Sequence, residues 1–151
     1  MVIYLVKGVN VYTEKGINLD KKSVHKLISF ITKELNKKIS SLEINFVGNE
    51  TILEINSSFL GHKYTTDVIS FDYSNENNSF DGEIFIGVEK ARENGKRFKV
   101  LLDDELKRLV IHGMLHFSGY DDATASQRRG MKKVEDHFLG KSKKIKFLKN
   151  L

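Results

Sequence analysis

The segment DDELKRLVIHGMLHF, residues 103–117, constrains the fold of this chain more than any other. Leu106, Leu109, Val110, Gly113 and Phe117 recur at the spacing of one helical face. Ile111 and Leu115 make its second half apolar on the other side too, so the helix is expected to lie largely inside the protein. Asp103 and Asp104 predict an acidic N-terminal cap. His112 and His116 fall in the buried half, about 40° apart around the helix and about 5.4 Å along it. Buried imidazoles need partners. Gly119 can take the left-handed conformation that ends a helix, which would return Asp122 toward both histidines.

The rest of the chain alternates strands and helices. VIYLV (2–6) and LEINFV (42–47) read as strands, and SVHKLISFITKEL between them as an amphipathic helix with Ser23 as its cap. ETILEINSSFL (50–60) reads as a shorter helix. DVISFDY (67–73) and GEIFIGV (82–88) follow as two strands of a hairpin, and EKARENGKRF and SQRRGMKKVEDHFL as helices on either side of the central one. The order βαβαββααα predicts an α+β fold, a small mixed β-sheet covered by several helices, with a metal site on a buried helix and the turn after it. At 151 residues the chain is expected to form a single domain, 1–151, ending in a basic C-terminal tail.

Composition narrows the chemistry. No cysteine is present, which excludes disulfides, thiolate metal sites and cysteine nucleophiles, leaving His, Asp and Glu as metal ligands. The N-terminus carries neither a basic start nor a cleavage site of small residues, and no apolar run approaches membrane-spanning length, so a cytoplasmic protein without membrane partners is expected. Nine Lys or Arg residues stand against Glu135 and Asp136 between Arg128 and Leu151, net +7, leaving −2 for the first 127 residues. Such a cluster, with Arg128, Arg129, Lys132 and Lys133 on one helix, either binds nucleic-acid phosphates or is a solvated face.

Two packed histidines and an Asp capping the next helix would be the plain reading of residues 112–122. The spacing His-x3-His, then Gly, then Asp, on a buried helix favours a metal held by His112, His116 and Asp122. Three protein ligands leave zinc one open position, as in hydrolytic sites. Metzincin proteases share this spacing but place Glu, their general base, directly after the first His. Gly113 stands there, so peptidase chemistry is not expected.

HGMLHFSGYDD resembles the His-Gly-x-Leu-His-x-x-Gly-Tyr-Asp-His signature of the YbeY family of bacterial metallo-endoribonucleases. INSSFLGHKYTTDVISFDY (55–73) and DGEIFIGVEKARE resemble two further blocks of that family in the same order, so the likeness covers roughly residues 44 to 139. The resemblance implies one zinc ion per chain and cleavage of single-stranded RNA. It also implies work on the small ribosomal subunit, in maturation of the 3′ end of its RNA and in ribosome quality control, with no DNA partner expected. Asp122 stands where the family carries a third histidine, and Asp121 matches a family residue that is not a ligand. Leu60 stands where the family carries an arginine, and His62, aligned with a family lysine, and Lys63 are the candidates to bind phosphate in its place. Thr66 and Asp67 begin the strand that the family places beside the site. An Asp there can cap, orient or move protons, and the general base is left unassigned. His25 and His137 lack ligand spacing. The competing reading is a non-catalytic RNA-binding ribosome-assembly factor with a structural metal.

Overall fold

A computed structural model describes residues 5–75 and 78–149. The elements follow the expected order: β1 (Val9–Thr13), α1 (Lys21–Glu34), β2 (Lys38–Val47), α2 (Asn49–Leu60), β3 (Val68–Asp72), β4 (Ser79–Gly87), α3 (Val88–Phe98), α4 (Leu102–Phe117) and α5 (Ala125–Lys141). The sheet runs β1-β2-β4-β3, with β1, β2 and β4 mutually parallel and β3 antiparallel on the edge. The α+β class and the mixed sheet are therefore as expected, and β3 and β4 form the expected antiparallel pair.

Three local expectations need correction. The strand expected over 2–6 lies mostly outside the described residues. Leu5 and Val6 are not in a strand, and β1 instead begins at Val9, where Val9 and Val11 are buried and Asn10 and Tyr12 face out. Asp20, not Ser23, caps α1. Its carboxylate accepts from the Lys22 amide at 3.2 Å and from Ser23 Oγ at 3.1 Å. Leu101 occupies the cap position of α4 without a side-chain bond, so Asp103 and Asp104 sit inside the first turn.

Asp103 has a different task there. Its Oδ1 accepts from the amides of Phe147 (2.7 Å) and Leu148 (2.9 Å), tying the chain end to α4. Lys107, 1 % exposed, donates to the carbonyls of Ser142 (3.2 Å) and Ile145 (3.1 Å). Phe147 is thereby held fully buried, edge-on to Phe46. Replacing Asp103 with Ala strands two backbone donors, so stability should fall by about 2 kcal/mol. A denaturant midpoint equal to that of the unaltered protein would show that the anchor contributes nothing.

The larger core joins one sheet face to α1, α4 and α5, and a smaller one packs Val47, Ile52 and Ile69 under α2 on the opposite face. α4 lies close against β4 because position 113 has no side chain: a Cβ there would meet Ile84 Cδ1 at 2.7 Å. That approach sets the depth at which His112 and His116 emerge. No helix among the described residues is long and apolar enough to cross a membrane.

Candidate metal centre

His112 and His116 project from the last two turns of α4, and the chain then reverses at Gly119 (φ 97°), whose amide donates to the His116 carbonyl. Thr124 caps α5 in a reciprocal box with Gln127, so the cap role does not fall to Asp122. Arg128 Nη1 donates to the carbonyls of Asp122 (3.3 Å) and Ala123 (3.2 Å) and secures the loop from the other side. With both ends held, Asp122 Oδ2 lies 3.3 Å from His116 Nε2 and 3.4 Å from His112 Nε2, and the two imidazole Nε2 atoms are 3.1 Å apart. The three form a group with the composition and spacing to hold a metal ion. A tetrahedral ion with bonds of about 2.0–2.1 Å separates neighbouring donors by about 3.3 Å, so the donor set fits such an ion. Side-chain exposures of 18 %, 26 % and 44 % leave the donors reachable from solvent, less buried than the helix that carries two of them.

Behind His112 lies a polar chain that sequence reasoning does not single out. Glu135, 4 % exposed on α5, places Oε2 2.7 Å from His112 Nδ1. A carboxylate only accepts, so Nδ1 carries the proton and the Nε2 lone pair points at the other donors. Glu135 Oε1 accepts from Arg108 Nη1 at 3.2 Å, and Arg108 grips Glu105 in a fork of 2.8 and 2.6 Å. The bond to Glu105, helped by the charges of Glu105 and Glu135 against the effect of burial, raises the guanidinium pKa above its ordinary value. Asn94 extends the chain from Glu105 (3.5 Å) to Asp67 (3.1 Å). Asp67 thus stands at the far end of the network from His112 and has an orienting contact there. The signal for Glu135 was an acid inside an apolar helical stripe, between Met131 and Phe138.

Among the basic candidates, Arg128 and Lys132 line a cavity together with His112 and Asp122. Arg129 and Lys133 are exposed one position further round α5 and do not line it. His62 and Lys63 are exposed in the turn after α2, which Gly61 ends in a left-handed cap. His62 stacks on Tyr64 and lines a separate depression with Leu60, Thr66 and Ser70. His25 accepts the Val6 amide at Nδ1, and burial lowers its pKa; His137 meets the edge of Phe138.

Similarity to known proteins extends over most of the chain. The family model described as Endoribonuclease YbeY matches residues 9–143. The chain is 40 % identical over 121 residues to Endoribonuclease YbeY of Chlorobaculum tepidum, covering 80 % of this chain and 88 % of that one. It is 38 % identical to the Karelsulcia muelleri protein of the same name, covering 87 % and 93 %. A structural-genomics target protein from Thermotoga maritima, solved in solution, superposes with a TM-score of 0.67 at 25 % identity, over 89 % of this chain and 88 % of that one. With a family match across nearly its whole length and the family's blocks in their proper order, this chain belongs to the endoribonuclease YbeY family.

Proposed function

We propose that this protein is a zinc-dependent endoribonuclease of the cytoplasm that cleaves single-stranded RNA, acting in maturation of the small-subunit ribosomal RNA 3′ end and in ribosome quality control. The observation that supports it most is the meeting of His112 Nε2, His116 Nε2 and Asp122 Oδ2 at ion-binding separations in a member of this family. Two imidazoles and a carboxylate without thiolates suit zinc, and three protein donors leave room for a substrate oxygen or water. When bound, the ion supplies a Lewis acid for a phosphoryl oxygen and a water acidified for attack at phosphorus.

The chain's own residues do the rest. Glu135 fixes the tautomer and ring angle of His112, and Arg108 holds Glu135 against Glu105 so that the carboxylate cannot swing away. Arg128 both clamps the Asp122 loop and, with Lys132, brings positive charge to the cavity beside it. Replacing Glu135 with Gln keeps the shape and removes the charge that supports His112. Metal affinity, measured by competition with a chromogenic chelator, is expected to drop about tenfold or more. An unchanged affinity would make Glu135 a packing residue only.

One observation favours the assembly-factor reading: Leu60, 44 % exposed, lines the depression where the resemblance implies a cation. Incubating metal-loaded protein with a single-stranded RNA bearing the small-subunit 3′ end, and with a duplex of the same sequence, separates the two. The nuclease reading predicts internal cleavage of the single strand alone, whereas binding without turnover is the assembly factor's result.

A further inference from the structure

The cavity that opens on His112 and Asp122 has a volume of about 550 Å³, and its walls are not uniform. Phe98, the last residue of α3, and Val100 in the turn after it line the cavity together with Met131 and Leu139 of α5, and Arg128 and Lys132 line it from the same helix one turn apart. Within four residues that turn leaves Phe98 63 %, Val100 44 % and Leu101 67 % exposed, an apolar cluster that the core does not use. The turn is built to stay there. Lys99 adopts a left-handed conformation (φ 58°), the Val100 amide donates to the Gly95 carbonyl at 2.9 Å, and a Cβ at Gly95 would come within 2.9 Å of the Val100 carbonyl oxygen.

We propose that this cavity is a subsite for one unstacked nucleobase of the RNA strand, next to the phosphate that lies at the metal donors. The inference rests on the nuclease reading above and names the part of the substrate that the cavity takes. The cavity opens directly on two of the three donors, so a strand whose phosphate lies at His112 and Asp122 runs beside its mouth, whereas His116 lines a separate depression. The charge pattern then decides which part enters. Asp104, Glu105, Asp122, Glu135 and Asp136 line it against Arg108, Arg128 and Lys132. Arg108 is held between Glu105 and Glu135, and Lys132 pairs with Asp136 at 3.4 Å. The acidic excess therefore disfavours a phosphate in the interior and leaves Arg128, beside Asp122, as the cation nearest the donors. A base has no charge, an apolar face to set against Phe98 and Val100, and polar edges for the carboxylates and Arg108. The space admits a nucleoside and is far too small for a duplex, which agrees with a single-stranded substrate.

The test compares probes that share a phosphate and differ in the base. Adenosine 5′-monophosphate and ribose 5-phosphate are titrated into metal-loaded protein by calorimetry, with amide shifts at Val100 and Met131 as the positional readout. The nucleotide should bind about tenfold or more tightly, as expected for stacking on an aromatic side chain. Phe98→Ala and the cavity-filling Val100→Trp should reduce it to the ribose 5-phosphate level with metal content unchanged. Equal binding of the two probes, or no effect of either variant, would overturn the proposal, as would an apolar peptide occupying the cavity in place of the nucleotide. Cleavage of single-stranded RNA by the same preparation keeps the two readings apart. Cleavage by a protein that binds the two probes equally removes only the subsite, and a loaded protein that cleaves nothing removes the nuclease reading with it.

Discussion

Replacing His116 with Ala is expected to weaken metal binding by at least about 100-fold, beyond the loss usual for groups that merely support a ligand. Two donors then remain of three, and the open position can no longer be held in a tetrahedral arrangement. The side chain is partly exposed at the end of α4, so metal-free stability should hardly change. Asp122→Asn should lose affinity in the same direction, because a neutral amide is a poor ligand in place of a carboxylate. Full metal occupancy of either variant at micromolar protein would remove that residue from the ligand set.

The second large effect lies one residue from the first ligand. Gly113→Glu would give α4 the His-Glu-x-x-His pattern of metalloproteases, yet it should unfold the protein. Its Cβ would already sit 2.7, 3.1 and 3.2 Å from the Cδ1, Cγ1 and Cγ2 of Ile84, which is fully buried. Gly113→Ala alone meets this overpacking, costing about 1–3 kcal/mol, partly offset by about 1 kcal/mol of better helix propensity. The Glu variant adds an uncompensated carboxylate between α4 and the sheet, several kcal/mol against a total stability of about 5–15 kcal/mol. Circular dichroism and solubility are the measurements. A folded Gly113→Glu protein would mean that α4 can lift off β4. Ile84→Val, which removes the nearest methyl, should relieve part of the Gly113→Ala cost, and simple additivity would count against the contact.

These two residues also show what a sequence makes legible. His112, His116 and Asp122 lie within eleven residues on one helix and its turn, so spacing alone brings them together. Gly113 was legible as an absent base, but its packing role depends on Ile84 of β4, to which no local pattern points. Glu135 touches His112 across 23 positions, and Asp103 reaches the Phe147 amide across 44, so one was missed and the other read as a cap. Helices were placed well because a 3.6-residue apolar period persists over three or more turns. Val9–Thr13 is harder to read as a strand than VIYLV, the more apolar run, because it buries only alternate residues, and of VIYLV the structure describes Leu5 and Val6 alone, outside any strand.

The nuclease reading stands or falls on metal stoichiometry. Apo-protein is titrated with zinc, and the initial rate of single-stranded RNA cleavage is followed against bound equivalents in wild type and His116→Ala. The account predicts a rate that rises in proportion to occupancy, levels at one equivalent, disappears with chelator and is absent throughout in the variant. Cleavage by the apo-protein, or a fully loaded wild type that binds the RNA and leaves it intact, would contradict it.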